Sequence, residues 1–127
     1  MEILPADNIT NLLQSFLDVQ SRRAQVIAGN IANTDTPGYV AKDLDFDDYL
    51  QEAAQQSSLP LSKQNSSSLS QPRVVDQPIT VMGLDGNTVD MGSEMAKMAQ
   101  TGTNFNFGAK MLQSRLRLLR TAIREGK

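Results

Sequence analysis

The chain has 127 residues, 39% of them hydrophobic and 5% aromatic, with no Trp, no Cys, no His and a net charge of −2. Without Cys or His it can form no disulfide, no thiolate or imidazole metal site, and no Ser-His or Cys-His nucleophile pair. The near-neutral charge gives no bulk attraction to nucleic acid, and so few large side chains suit helices paired along a narrow seam better than a deep core.

The charge is uneven along the chain. Residues 1–60 carry 3 basic and 9 acidic side chains (−6), and residues 61–127 carry 9 and 5 (+4). This fits one end of the chain meeting the other or head-to-tail contact between copies, and it fits two solvated faces that simply differ. The first six residues hold Glu2 but no Lys or Arg, and no apolar run of signal-peptide length follows them. No segment approaches the roughly 20 apolar residues of a membrane span, so composition alone implies a soluble, cytoplasmic protein.

In chain order, the first predicted element is an amphipathic helix over residues 7–33. Leu13, Leu17, Ala24, Ile27 and Ile31 fall on one stripe at three- and four-residue spacing, with Gln20 as the polar intruder. Asp7 or Asn8 is the expected N-cap. The helix stops in Thr34-Asp35-Thr36-Pro37-Gly38, where Pro37 disfavours helix at Thr36 and Gly38 frees the turn.

Residues 34–89 are predicted as an extended, loop-rich segment with little strand. An acidic run, Asp43-Leu44-Asp45-Phe46-Asp47-Asp48, leads into a Gln- and Ser-rich stretch over 51–71 that cannot bury enough apolar surface to offset chain entropy and is expected to be flexible. Arg73–Val75 and Ile79–Met82 are short strand candidates held at an edge by Pro72 and Pro78. Asp85-Gly86-Asn87 is a tight-turn signal suited to a hairpin.

The third element, a helix over 90–125 capped by Asp90, carries the sharpest pattern. Positions 91, 95, 98, 102, 105, 109, 112, 116, 119 and 123 read Met, Met, Met, Gly, Phe, Ala, Leu, Leu, Leu, Ile. Ten successive four-three positions without a polar side chain imply a left-handed supercoil with a partner helix. Thr101-Gly102-Thr103-Asn104 are poor helix formers and mark either a hinge or a place where Gly102 admits another helix. The fold class is therefore mainly α, with long N- and C-terminal helices paired as an antiparallel coiled coil within a single elongated domain. The expected assembly seam is Leu13, Leu17, Ile27 and Ile31 with Met95, Met98, Phe105, Leu112, Leu116, Leu119 and Ile123. Leu12, Phe16, Met111 and Leu118 lie off the main stripes. This surplus apolar surface predicts further partners and a lone chain that orders on assembly.

No chemistry emerges from the remaining motifs. The Asp43–Asp47 run opens like a calcium loop, but Asp48 stands at the turn glycine and Ala54 at the bidentate Glu. Asp43, Asp45, Asp47 and Asp48 lie in sequence with no pocket-forming aromatics, and there is no phosphate-cradling Gly loop. Met91, Met95 and Met98 have heptad spacing and read as seam residues before metal ligands. Arg22-Arg23 reads as a solvated patch or an intersubunit ion-pair site. No cofactor, catalytic or metal site is expected.

Two segments carry a family likeness. Asn30-Ile31-Ala32-Asn33-Thr34-Asp35-Thr36-Pro37-Gly38-Tyr39 resembles the N-terminal signature of flagellar rod, hook and related axial proteins. Leu84-Asp85-Gly86-Asn87-Thr88-Val89-Asp90-Met91, followed by Glu94-Met95 and Met98-Ala99, is similar to the short rod subunits of that family, and Leu112, Leu116, Leu119 and Ile123 fit it too. The likeness covers residues 9–50 and 74–125. Gly92 and Thr101-Gly102 depart from the pattern, where helix regularity is expected to be weakest.

The resemblance singles out Asn30, Ala32, Asn33, Thr36, Pro37, Gly38, Tyr39, Asp85, Gly86, Asn87, Val89, Asp90 and Met91 as family positions. Asn33 is expected to cap the first helix, and Tyr39 to plug an apolar gap while its hydroxyl finds a polar partner. It implies a structural, non-enzymatic subunit of the basal body rod that stacks helically around an export channel and transmits torque through the periplasm. Export without a cleaved signal is implied, which overrules the cytoplasmic reading. The implied partners are other rod subunits, copies of itself, and ring and export-gate components at the rod base, with no nucleic acid, small-molecule substrate or membrane span. The competing reading is a freestanding helical interaction module, which should be highly helical alone.

Overall fold

A computed structural model of the chain describes residues 5–57 and 71–126. Its elements in order are α1 (Pro5–Ala32), β1 (Lys42–Asp45), α2 (Asp47–Ser57), β2 (Arg73–Asp76) and α3 (Met91–Glu125). The described architecture is mainly helical, with the two long terminal helices packed together and a short strand pair in the middle.

α1 begins at Pro5, ahead of the expected cap at Asp7 or Asn8. Proline suits that place because it has no N–H to satisfy and its fixed φ is already helical. At the other end, Asn33 Nδ2 donates to the Gly29 carbonyl at 2.8 Å and Thr34 Oγ1 to the Ile31 carbonyl at 2.7 Å. Both carbonyls also accept a backbone N–H, from Asn33 at 3.1 Å and Thr34 at 3.3 Å, so the side chains add a second bond at the helix end.

α3 is capped by Asp90, whose carboxylate accepts from the Ser93 N–H at 3.4 Å, with Glu94 in the first turn and Arg124 in the last. Both charges complement the helix dipole. Its 35 residues run unbroken through Gly92 and through Thr101–Asn104, so no hinge forms there. Packing alongside α1 overrides the weak local propensity, and Thr103 turns its hydroxyl back onto the Ala99 carbonyl at 3.0 Å.

α1 and α3 run antiparallel: Asn30 near the end of α1 meets Glu94 near the start of α3, while Phe16 and Leu17 meet Gly108. The register differs from the expected one. The fully buried line on α3 is Glu94, Thr101 and Gly108, a seven-residue repeat of a carboxylate, a hydroxyl and a missing side chain. Of the expected apolar line, Met98, Ala109, Leu112 and Leu119 are half-buried, and Met91, Met95, Phe105, Leu116 and Ile123 are exposed. The reason is local. Gly108 lets Phe16 and Leu17 approach to where a Cβ would sit 3.0 Å away, and polar partners draw Glu94 inward. The apolar stripe is left on the flank of the contact rather than at its centre.

Residues 47–57, expected to open the loop region, form helix α2. Asp47 and Asp48 occupy its first turn, where negative charge meets the positive end of the dipole, and Ala53 is buried. The rest of the expected flexible stretch, 58–70, lies outside the described residues. β1 and β2 pair antiparallel in the register Lys42↔Asp76 to Asp45↔Arg73. Residues 79–82 form no strand, and Asp85-Gly86 makes a tight turn with no flanking ladder, closed by Gly86 N–H to the Gly83 carbonyl at 3.0 Å.

Among the described residues only Val19, Ile27, Ala41, Leu44 and Ala53 are buried apolar side chains, against six buried polar ones.

Candidate functional site

The two sequence motifs, some fifty residues apart, close on each other where α1 ends and α3 begins. Asn87 is the bolt. Its two Nδ2 hydrogens span three carbonyl oxygens of the α1 exit, Asn33 at 2.9 Å, Thr34 at 2.9 Å and Thr36 at 2.8 Å. Its Oδ1 accepts the Val89 N–H at 2.8 Å. The Asn33 and Thr36 carbonyls also accept the backbone N–H groups of Thr36 and Tyr39, so Asn87, from the far half of the chain, reinforces this turn and supplies the donor to Thr34. Thr88 continues the contact: its N–H donates to the Tyr39 carbonyl at 3.0 Å and its hydroxyl accepts the Ala41 N–H at 2.9 Å.

Both glycines of the motifs have positive φ, Gly38 at 71° and Gly86 at 81°. Gly38 donates to the Asp85 carbonyl at 2.9 Å, and a Cβ on Gly86 would sit 3.6 Å from the Gly38 Cα. The two left-handed residues face each other, where a side chain would be strained on backbone grounds alone. Pro37 and Thr36 lie exposed on the turn, and Thr36 donates to Asn33 Oδ1 at 3.0 Å.

One turn inward lies a buried polar network centred on Asn30, which is 0% exposed. Asn30 Oδ1 accepts the Lys42 N–H at 2.9 Å and the Tyr39 hydroxyl at 3.2 Å. Its Nδ2 donates to the Lys42 carbonyl at 2.7 Å and to Glu94 Oε2 at 2.9 Å. All four hydrogen-bonding valences of the amide are filled. The Glu94 carboxylate, 1% exposed, also accepts from Gln77 Nε2 at 3.0 Å and from Lys97 Nζ at 3.3 Å. Gln77 ties the group back to the Lys42 carbonyl at 2.9 Å and takes a second bond from Lys97. A buried carboxylate is tolerable because it is both paired and hydrogen-bonded. Four segments therefore share one network: α1, the β1 edge, the residue after β2 and the first turn of α3.

Gln77, Lys97 and Gly108 were not singled out from the sequence, and Thr88 and Glu94 entered only as parts of the family-like segment, with no role given. Gly108 had a signal, an isolated glycine deep in a helical pattern. Gln77 had none, because its neighbours become adjacent only on folding.

Of the expected seam, Ile27 is buried, and Leu13, Leu17, Ile31, Met98, Leu112 and Leu119 are half-buried. Met95, Phe105, Leu116 and Ile123 remain exposed, as do the off-stripe Phe107, Met111 and Leu118. Among the family positions, Asn30 and Asn87 are buried; Asn33, Tyr39, Gly86 and Val89 are half-buried; Ala32, Asp85, Asp90 and Met91 are exposed. Arg22 and Arg23 both have partners within the chain, Asp18 at 3.1 Å and Asp43 at 3.6 Å, and Arg23 lies 5.6 Å over the Phe46 ring. Among the described residues no group of three acidic side chains gathers as a metal site, and no helix is long and apolar enough to cross a membrane.

The arrangement is a backbone clasp, with groups spent on one another rather than held free for a substrate. Comparison with known proteins agrees. Residues 14–39 match the family model described as flagella basal body rod protein. The chain is 33% identical to the flagellar basal body rod protein FlgB of Salmonella typhimurium over 89% of this chain and 91% of that one. It is 32% identical to the FlgB of Aeromonas hydrophila, covering 93% and 94%, and 29% identical to that of Bacillus subtilis, covering 91% and 92%. With a clasp built from the two motifs and likeness along nearly its whole length, the chain belongs to the FlgB family of flagellar basal body rod proteins, structural components and not enzymes.

Proposed function

We propose that this chain is a subunit of the proximal rod of the flagellum. It assembles helically around the export channel with α1 and α3 on the inner tube, and it carries torque from motor to hook and filament. The observation that supports this reading is the apolar surface left over once α1 and α3 have paired. Met95, Phe105, Leu116 and Ile123 stay exposed along a helix of roughly 50 Å. Large apolar side chains left exposed along that length mark an interaction face.

The partners are copies of itself, other rod subunits, and ring and export-gate components at the rod base. The chain leaves the cytoplasm through the flagellar type III apparatus without a cleaved signal and works in the periplasm. The segment over residues 40–88 bridges neighbouring subunits. β2 is exposed at all four positions and offers an edge to which another chain can add. Deleting the gene is expected to leave cells without rod, hook or filament, and an intact copy to restore swimming. Swimming by the deletion strain would sink the reading.

A further inference from the structure

α1 and α3 do not close along their whole length. Between them lies a groove lined by Gln20, Ala24, Met98, Thr101, Gly102 and Phe105. Two independent features mark it as unfinished. A side chain at Gly102 would meet nothing within 4 Å, whereas one at Gly108 would press on Leu17 and Phe16 at 3.0 Å. The chain itself fills the space at Gly108 and leaves that at Gly102 open. Gln20 and Thr101 are 3% and 1% exposed, yet Gln20 Oε1 and Thr101 Oγ1 have no hydrogen-bond partner. Buried polar atoms are nearly always paired in a finished structure, so these two call for a donor from outside the chain.

The same helix carries a complementary shape. Phe107, Met111 and Leu118 are exposed and form a ridge at four- and seven-residue spacing. They lie about 140–180° around the helix from Gly102, at about 100° per residue. A hole and a ridge on opposite faces cannot meet within one molecule, nor across a two-fold axis. They meet head to tail, and a head-to-tail contact that does not close generates a helical row.

Resting on the rod reading above, we infer that the groove at Gly102 is the seat of the Phe107–Met111–Leu118 ridge of a second copy of this chain. Gln20 and Thr101 both line the groove, and Lys110 of the incoming helix supplies the missing donor.

The chain has no cysteine, so exposed positions beside each surface can be labelled cleanly. Asn106→Cys marks the groove rim and Ser114→Cys the ridge side. Basal bodies from cells carrying the double variant, treated with a short bismaleimide, should give a ladder of dimers and higher multimers of this chain. Each single variant should give at most a trace. Dimers from either single variant, or adducts to another protein alone, would overturn the inference. So would the absence of any adduct from basal bodies that contain the chain, and that result leaves the rod reading standing. Absence of the unsubstituted chain from basal bodies would overturn the rod reading itself. As a second measurement, Gly102→Leu should raise the helicity of the isolated chain while reducing its incorporation into basal bodies at least tenfold. Wild-type incorporation would contradict the seat.

Discussion

Asn30 and Asn87 show how much a single amide can hold when every valence is used. Asn30→Ala removes four hydrogen bonds and strips one partner from the buried Glu94 carboxylate, so unfolding should become easier by about 3 kcal/mol in urea denaturation. Asn87→Ala removes the donor to the Thr34 carbonyl and a second donor to those of Asn33 and Thr36, and should cost about 2 kcal/mol, with Asn87→Asp no better, because a carboxylate cannot donate to them. Both asparagines were visible in the sequence as parts of motifs, and so were a bond from Asn33 to the end of α1 and a polar partner for the Tyr39 hydroxyl. What Asn87 binds was not visible, since its acceptors lie more than fifty residues upstream. Glu94 was given no role and Gln77 went unmarked because the network that accepts them exists only after the four segments converge.

At the scale of elements, the long helices were legible from their periodicity, and α1 and α3 fall within about two residues of the expected spans. The face each helix turns to the other was less legible. Heptad counting finds an apolar line but cannot tell whether a helix's own partner or a neighbour covers it, and a glycine, a hydroxyl and a carboxylate hold the centre of the real contact. Gly108→Leu should therefore disrupt the pairing by about 2–3 kcal/mol, read as a fall in melting temperature, because Phe16 and Leu17 already occupy the space. Gly102→Ala should instead stabilise the isolated helix by about 0.5–1 kcal/mol. α2 was missed because its Gln-rich sequence looked like loop; two aspartates at its N-terminus and one buried alanine are what the fold uses. On the strand pair, the hydrogen bond from Lys42 to Asp76, and then their charge attraction, raise the lysine above its ordinary 10.5. A raised lysine pKa stabilises the fold below the unfolded value and ceases to do so as pH climbs through the folded one. The pair's contribution should persist through neutral pH and fade only in strongly alkaline solution, a fade that Lys42→Met abolishes in a pH titration of the urea midpoint.

For the molecule as a whole, five buried apolar side chains stand against fifteen large exposed ones among the described residues. A core that small supplies little stability by itself, so ordering and assembly should be coupled. Circular dichroism of the isolated chain should show a shallow thermal transition that sharpens on assembly. The absence of chemistry was legible from composition, and the family from two motifs in the right order. The division of the apolar surface between the chain's own packing and its neighbours was not, because one sequence encodes both and only the fold separates them. Leu116 puts this division to the sharpest test. It is half exposed on α3, so Leu116→Asp should leave the isolated chain as helical and as abundant as the wild type while removing it from the rod. Quantifying the chain in basal bodies from cells that express either form at equal levels gives the answer directly. Wild-type protein is expected in the rod and almost none of the Leu116→Asp variant, with swimming lost. Equal incorporation and normal swimming would contradict it.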